Sequence, residues 1–524
     1  MRRWGVGPLL VLVSCLEAET GGLLPGGNDG GTTAPDSGVA TPPDSGLPAP
    51  SDSGVTIVPG EAEAFKSGTR LRAAVLDAGG GARRFQSWFD SALGTYCSFE
   101  RAMDGELYCL PIGGFADRFR DANCEEPVAR IGDCNRTQLY FYGPSDRDGR
   151  LNRCAYDRLD PGLMVQVYRA IGTDRADQLQ FGAGDACFVE RIPNQEFFLL
   201  EPVPPETFVR GTARLEERSG MLGVWRVYAE DGAEEALAMV DLSRNAECTP
   251  ALGLEQCAPQ GTLAYVSDDL MADACTRPLA ATGSNPECQP EFALEVEPPA
   301  GPRCVRGASR LRELGEPYSG PLYRAEEGQC QPWEGPFSPG ISTVGPLVDR
   351  FHFPSLDRHR VGNGRLQVER HFDTALVPLP GAYEPFFDTR TGRACFLVAD
   401  HEDPGATACL DPDEVQGAMA AYADPSCQDR IAVQMPWDSL GCREEPRPVV
   451  HTLVGQRFGG LCETLPEELR EAGPEHRGQV YTRRFDGACE PFDLRPSQGR
   501  RPYAHRLGPV RGLEGYPRVR QLIE

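Results

Sequence analysis

Lysine is nearly missing from this chain. Lys66 is the only one, and the other basic residues are arginines. Histidine is absent until His352, so the seven histidines all fall between His352 and His505. After residue 15 no apolar run approaches the roughly 20 residues that a membrane-spanning helix needs. None of the 19 cysteines sits in a Cys-x-x-Cys pair, which removes zinc ribbons and thioredoxin-type redox sites. There is no His-Glu-x-x-His, no Gly-x-Ser-x-Gly and no phosphate-cradling glycine loop with lysine. Basic charge is also outweighed, 52 residues against 77 acidic ones, a net of −25, which argues against nucleic acid as a partner. Long helical periodicity is scarce; Asp413 to Tyr422 is the best short candidate.

The N-terminus carries an export signal. Met1-Arg2-Arg3 is followed by an apolar stretch from Trp4 to Val13 and then Ser14-Cys15, the layout of a secretory signal peptide over residues 1–15. Its end, Leu12-Val13-Ser14-Cys15, resembles a bacterial lipobox, whose cysteine is lipidated and becomes the mature N-terminus; the alternative is an ordinary signal that happens to contain a cysteine. Residues 16–60 are mostly Gly, Pro, Ser, Thr and Asp, with Pro35-Asp36-Ser37-Gly38 nearly repeated at Pro43 and Ser51. Such a composition buries too little apolar surface to offset its ordering entropy and reads as a disordered tether. Cysteine parity agrees: removing Cys15 leaves an even 18, all between Cys97 and Cys489. The lipid is then the only anchor, in a cell envelope at the outer membrane, on its periplasmic face or at the cell surface. Disulfides are the default there.

Those 18 cysteines form three sets of six: Cys97, Cys109, Cys124, Cys134, Cys154, Cys187; Cys248, Cys257, Cys275, Cys288, Cys304, Cys330; Cys395, Cys409, Cys427, Cys442, Cys462, Cys489. Their shared period near 150 residues is the mark of internal repetition. Boundaries follow at 61–206, 207–349 and 350–515, with 516–524 left over as a C-terminal tail. Each repeat has a Gly-to-Arg-Leu strand start (Gly68, Gly211, Gly364), then Asp90/Gly94/Cys97, Asp241/Asn245/Cys248 or Asp388/Gly392/Cys395. This pattern reads as strand, turn, strand, with the Asp bonded to turn amides and Gly or Asn in the left-handed conformation. The third cysteine is followed by Val128-Ala129, Leu279-Ala280 or Ile431-Ala432. A further element, Val167-Tyr168-Arg169, Leu322-Tyr323-Arg324 and Val480-Tyr481, precedes the sixth, with an apparent insertion in repeat one around Thr173 to Phe181.

Short β-type segments separated by Gly, Pro and Asp turns point to an all-β, disulfide-rich fold. A β-propeller with two or three four-stranded blades per repeat is the favoured architecture, and three tandem β-domains the alternative. Neighbouring cysteines are expected to pair, Cys97–Cys109, Cys124–Cys134 and Cys154–Cys187 and so on through the repeats, because short hairpins bring facing Cα atoms within disulfide range.

The Gly-x-Arg-Leu…Asp-x-x-x-Gly-x-x-Cys…Asp-x-x-Cys-x-x-Pro run, with its arginine bias, resembles a group of Cys-rich, Arg-rich repeat lipoproteins common in myxobacteria. The resemblance covers roughly residues 1 to 515. It implies the same anchored, repeated layout and says almost nothing of function, since that group has no assigned activity and no catalytic residues to carry over.

Chemistry is harder to find. His352, His359 and His371 cluster, but spacings of seven and twelve define no site. Asp90, Asp241 and Asp388 recur together with their turn partners, which points to structure. Glu402-Asp403 and Asp411-x-Asp413-Glu414 flank Cys409 and could hold calcium, though an acidic solvated loop is the favoured reading. Asn135-Arg136-Thr137 is a glycosylation sequon. Trp88, Trp225, Trp333 and Trp437, with Pro332-Trp333 and Pro491-Phe492 after the sixth cysteine, could stack on sugars or anchor a protein, or pack the core. The sequence therefore favours a lipid-anchored scaffold binding a protein or glycan without catalysis, cofactor or metal. A carboxylate-dependent polysaccharide hydrolase or lyase is the alternative, and a purely architectural spacer the third reading.

Overall fold

A computed structural model describes residues 65–116, 118–131, 138–143, 164–183, 186–218, 220–250, 255–259, 263–282, 290–296, 309–326, 329–333, 340–349, 352–373, 378–379, 384–399, 406–411, 414–434, 449–453, 468–483, 488–492, 494 and 503–524. The signal, Cys15 and the tether lie outside them. The fold is all-β; Pro205–Thr207 is a single helical turn. Asp413 to Tyr422 is not a helix. Val415–Tyr422 is a strand, paired with Arg430–Gln434 on one side and Val449–Leu453 on the other. Its alanines favour a helix locally, but two strand partners override that preference.

Two kinds of sheet alternate along the chain, where blades of four strands were expected. The first is a meander of five antiparallel strands. Meander 2 is Arg210–Glu217, Leu222–Ala229, Glu234–Asp241, Ala246–Pro250 and Cys257–Pro259. Meander 3 runs Asp357–Val361, Leu366–Phe372, Phe386–Asp388, Arg393–Ala394 continuing as Phe396–Ala399, and Ala406–Leu410. Meander 1 is Leu71–Asp77, Arg83–Asp90, Thr95–Arg101 and Leu107–Pro111, and its first position is filled by Arg518–Ile523 from the far end of the chain. The residues left over as a tail are thus part of the first meander.

The second kind is a small barrel of five strands closed in the order first, second, fifth, fourth, third, with first and third parallel. Barrel 2 is Leu263–Ala272, Arg277–Thr282, Phe292–Val296, Ser309–Pro317 and Gly340–Leu347. Barrel 3 is Val415–Tyr422, Arg430–Gln434, Val449–Leu453, Glu468–Glu475 and Tyr503–Val510. In barrel 1 Gly114–Phe115 and Arg118–Phe119 share the first position, followed by Pro127–Arg130, Tyr140–Tyr142, Val167–Ala183 and Ala186–Pro202.

The aliphatic-Ala pair after each third cysteine now has a physical reason. Ala129, Ala280 and Ala432 are buried in barrel clusters, Ala280 with Ala264 and Ala293 in barrel 2, Ala432 with Ala418 in barrel 3, and Ala129 beside Ala116, Phe141 and Phe198 in barrel 1. A small side chain at this position leaves room for its neighbours in a narrow closed barrel. Val128, Leu279 and Ile431 alternate to the other face and pack under the hairpin that covers each barrel.

Three junctions join the meanders edge to edge, and they are equivalent. The second cysteine of each repeat donates its amide to the chain entering the next meander: Cys109 to the Val209 carbonyl, Cys257 to Pro354 and Cys409 to Pro517, each at 2.9 Å. The third junction returns to meander 1, so the ring closes.

Candidate functional site

The disulfides fix the covers of the barrels. Cys97–Cys109, Cys248–Cys257 and Cys395–Cys409 join neighbouring meander strands, with Cα atoms 5.1 to 5.3 Å apart. The expected Cys124–Cys134 and Cys154–Cys187 bonds, and their counterparts Cys275–Cys288, Cys304–Cys330, Cys427–Cys442 and Cys462–Cys489, do not form. Instead the third cysteine joins the sixth: Cys124–Cys187, Cys275–Cys330 and Cys427–Cys489, with Cα separations of 5.7 to 5.9 Å. The chain after the third cysteine does not turn straight back on itself; its next strand pairs inside the barrel. The third cysteine sits in a turn at φ of 55°, 66° and 52°, beneath the covering hairpin that carries the sixth. Cys134, Cys154, Cys288, Cys304, Cys442 and Cys462 lie outside the described residues.

That hairpin differs in repeat one. Repeats two and three build it from separate short strands, Tyr323–Glu326 with Gln329–Pro332 and Val480–Arg483 with Cys489–Phe492. In repeat one Val167–Ala183 and Ala186–Pro202 run unbroken from barrel into cover, 17 residues each. Proline and glycine interrupt the later copies at Pro317, Gly320-Pro321, Pro474 and Gly478, whereas Ile171-Gly172-Thr173 holds no proline. The supposed insertion around Thr173 to Phe181 is therefore no insertion. Val167 to Cys187 matches Ser309 to Cys330 and Glu468 to Cys489 in length to within one residue. Val167-Tyr168-Arg169 belongs to the barrel wall, paired with Tyr142, Phe141 and Tyr140, and corresponds in place to Ser309–Pro317 rather than to Tyr323.

Among the described residues, exposed large apolar side chains are most numerous on this first barrel. Phe115, Leu139, Ile171, Phe188 and Val189 are 63%, 59%, 57%, 46% and 56% exposed, while the exposed large apolar side chains described on barrels 2 and 3 are Leu347 and Val510. Phe188 stacks on Phe181 with centroids 5.3 Å apart, and Arg118 lies over the Phe181 ring while bonding Glu190 at 2.5 Å. Ile171 is the extra residue of a bulge, next to Ala170, whose amide bonds the Leu139 carbonyl at 2.9 Å. A signal for Phe188 and Val189 was present in the sequence: Cys187 is followed by Phe-Val where Cys330 and Cys489 are followed by a polar residue and proline.

The tryptophans are core. Trp88 is fully buried and donates its indole N–H to the Glu235 carboxylate at 2.7 Å. Trp225 and Trp333 pack against buried clusters, as does Phe492; Trp437 lies outside the described residues. Asp90, Asp241 and Asp388 are buried and accept turn amides from Ala92, Ser243 and Arg390 at 2.9 to 3.0 Å. Gly94, Asn245 and Gly392 close those turns at positive φ.

His352, His359 and His371 are not brought together as one site. His359 and His371 lie on adjacent strands, but His359 pairs with Arg370 and His371 with Arg358, which puts the two rings on opposite faces. Burial, and then the charge of Arg358, pushes His371 down to about 4. Beside it, Arg370 and Glu384 form a buried ion pair at 3.3 Å, and Arg84 donates to the Glu384 carbonyl at 3.2 Å, tying meander 3 to meander 1. His352 packs edge-on to Phe292 and Phe353. No group of three or more His, Cys, Asp or Glu among the described residues is placed to hold a metal ion. Glu414 accepts from the Tyr516 hydroxyl at 2.9 Å. Glu402, Asp403, Asp413 and the Asn135 sequon lie outside the described residues. Among those residues no helix is long and apolar enough to cross a membrane.

No family model matches the chain, and no curated protein matches it. One solved structure aligns, that of AztD from Citrobacter koseri, at 11% identity over 87% of this chain and 98% of that one; its TM-score of 0.10 carries no argument.

Proposed function

We propose that this chain is a lipid-anchored protein of the cell envelope, a rigid disulfide-stapled β scaffold that binds a protein or glycan through its first barrel and performs no catalysis. The observation that carries this reading is the unequal exposure of three barrels with one topology. Among the described residues, barrel 1 turns Phe115, Leu139, Ile171, Phe188 and Val189 to solvent where the other two together turn out Leu347 and Val510. Copies under the same folding constraints need the same core, so the additional apolar surface on one copy is surplus to folding, and exposed apolar surface of this kind marks contact sites. The aromatic members suit either partner, since a phenyl ring stacks on a sugar face or fills a protein pocket. The recurring carboxylates are structural: Asp90, Asp241 and Asp388 are committed to turn amides and to arginines.

Purified protein, incubated with isolated envelope polysaccharide and with solubilised envelope proteins, should be retained by one of the two. A photo-crosslinker at position 188 should capture that partner. Phe188→Ser with Val189→Ser should abolish retention, while Leu347→Ser and Val510→Ser should leave it intact. Equal retention of all these variants would refute the assignment to barrel 1.

A further inference from the structure

We propose that the last strand, Arg518–Ile523, is a detachable latch seated in a preformed strand-binding slot, and that this slot accepts the same strand when it is supplied as a separate peptide. The slot lies between Leu71–Asp77 of the first repeat and Ala406–Leu410 of the third. On one side Ala74, Val75, Leu76 and Asp77 pair with Ile523, Leu522, Gln521 and Arg520; on the other Ala406, Thr407 and Ala408 pair with Arg520, Val519 and Arg518.

Three features make this a specific site rather than an edge-to-edge contact. Val519 is fully buried among Leu76, Ala82, Leu366, Val368, Phe386 and Cys409, so the slot has one apolar pocket at a fixed register. Its far end is fastened as well: the Glu524 amide donates to the Ala73 carbonyl at 3.0 Å, the Glu524 carbonyl accepts from the Ser67 hydroxyl at 3.2 Å, and the Glu524 carboxylate pairs with Arg83. Gln521 bonds Gln86 at 3.1 Å. The ligand class is thus an extended peptide with an inward aliphatic residue flanked by arginines and an acidic C-terminal end. Main-chain pairing supplies affinity and the pocket supplies register, as in other strand-addition sites.

Both walls are held without the latch. Leu71–Asp77 pairs along its length with Arg83–Asp90, and Ala406–Leu410 pairs with Phe396–Ala399 and is stapled by Cys395–Cys409. The described disulfides each stay within one repeat, so hydrogen bonds and packing close this seam. The other two equivalent places are filled by Arg210–Glu217 and Asp357–Val361, which chain continuity ties to the repeats on either side. At the seam the contacts join residues 457 apart in sequence, the costliest closure in the fold and the last available as the chain is made.

The test uses the full chain, folded first and cut afterwards. A protease site inserted after Gly512, in the exposed segment before the strand, is cleaved in the native protein. The fragment from Leu513 onward should stay bound, then exchange for a fluorescent synthetic copy. Unlabelled peptide should compete, and a Val519→Asp peptide should compete at least 100-fold more weakly. Permanent retention without exchange would overturn the latch. Loss of the fragment with no change in melting temperature, or loss followed by no uptake of the labelled peptide, would overturn the preformed slot.

Discussion

Arg70 grips Asp90 with two parallel hydrogen bonds, at 2.8 and 2.7 Å, and the same guanidinium donates to the Thr207 carbonyl at 2.9 Å, where the chain enters the second meander. Arg244 does the same with Asp241 and the His352 carbonyl, and Arg365 with Asp388 and the Gly515 carbonyl. Each residue so held lies two positions before the carbonyl that receives a junction cysteine's amide. The recurring aspartate therefore shapes its own turn and, through an arginine, locks one repeat to the next.

Removing Asp90 should accordingly loosen a junction as well as a turn. Asp90→Ala leaves Arg70 without its carboxylate and two turn amides without an acceptor, and should cost about 3 kcal/mol. Urea unfolding of the variant checks this; a midpoint equal to that of the parent would contradict the clamp.

Acid should weaken the fold in two windows. His371 is held down to about 4 by burial and by Arg358, so its neutral form favours the native state. That stabilisation is complete above the ordinary histidine value near 6.5 and is lost as pH falls toward 4, because the unfolded chain takes up the proton first. His371→Gln should flatten stability between those values, measured by melting temperature against pH.

Below that, Asp424 and Asp388 take over. Asp424 is lowered to about 2 by the Ser426 hydroxyl and by the amides of Asp429, Gln428 and Ser426. Burial pushes Asp388 up, but its bonds from Arg365 and the Arg390 amide outweigh this and hold it low. Depressed carboxylates stabilise above the ordinary value near 4 and lose that contribution as pH falls through the folded value. Asp424→Asn should reduce the slope of stability between pH 4 and 2.

The six cysteines outside the described residues should pair fourth with fifth within each repeat: Cys134–Cys154, Cys288–Cys304 and Cys442–Cys462. Their four companions in each repeat are already bonded, and even parity leaves them to one another. Non-reducing peptide mapping decides it. Free thiols at these positions, or bonds between repeats, would count against the scheme.

Cys15 should carry the lipid. Cys15→Ala should give a precursor that incorporates no labelled palmitate and is released into the soluble fraction. Labelling equal to that of the parent would remove the anchor from the proposal.

Features that depend on neighbours along the chain were legible before folding. Alternating short segments between Gly and Pro turns specify strands, and Asp90 with Gly94 four residues on specifies a tight turn whichever sheet it joins. The spacing of Cys97 and Cys109 lies within one hairpin, so that bond was legible. Tertiary structure decided everything that requires two distant segments to meet. Cys124 bonds Cys187 rather than Cys134 because barrel closure carries the intervening strand away. Val415–Tyr422 is a strand because two partners outweigh its alanines. Phe188 becomes surface because the strands of barrel 1 run on unbroken into its cover. Arg518–Ile523 reads as a tail by position and becomes the first strand of the first meander, because it pairs with Leu71–Asp77 on one side and Ala406–Leu410 on the other, partners far away in sequence.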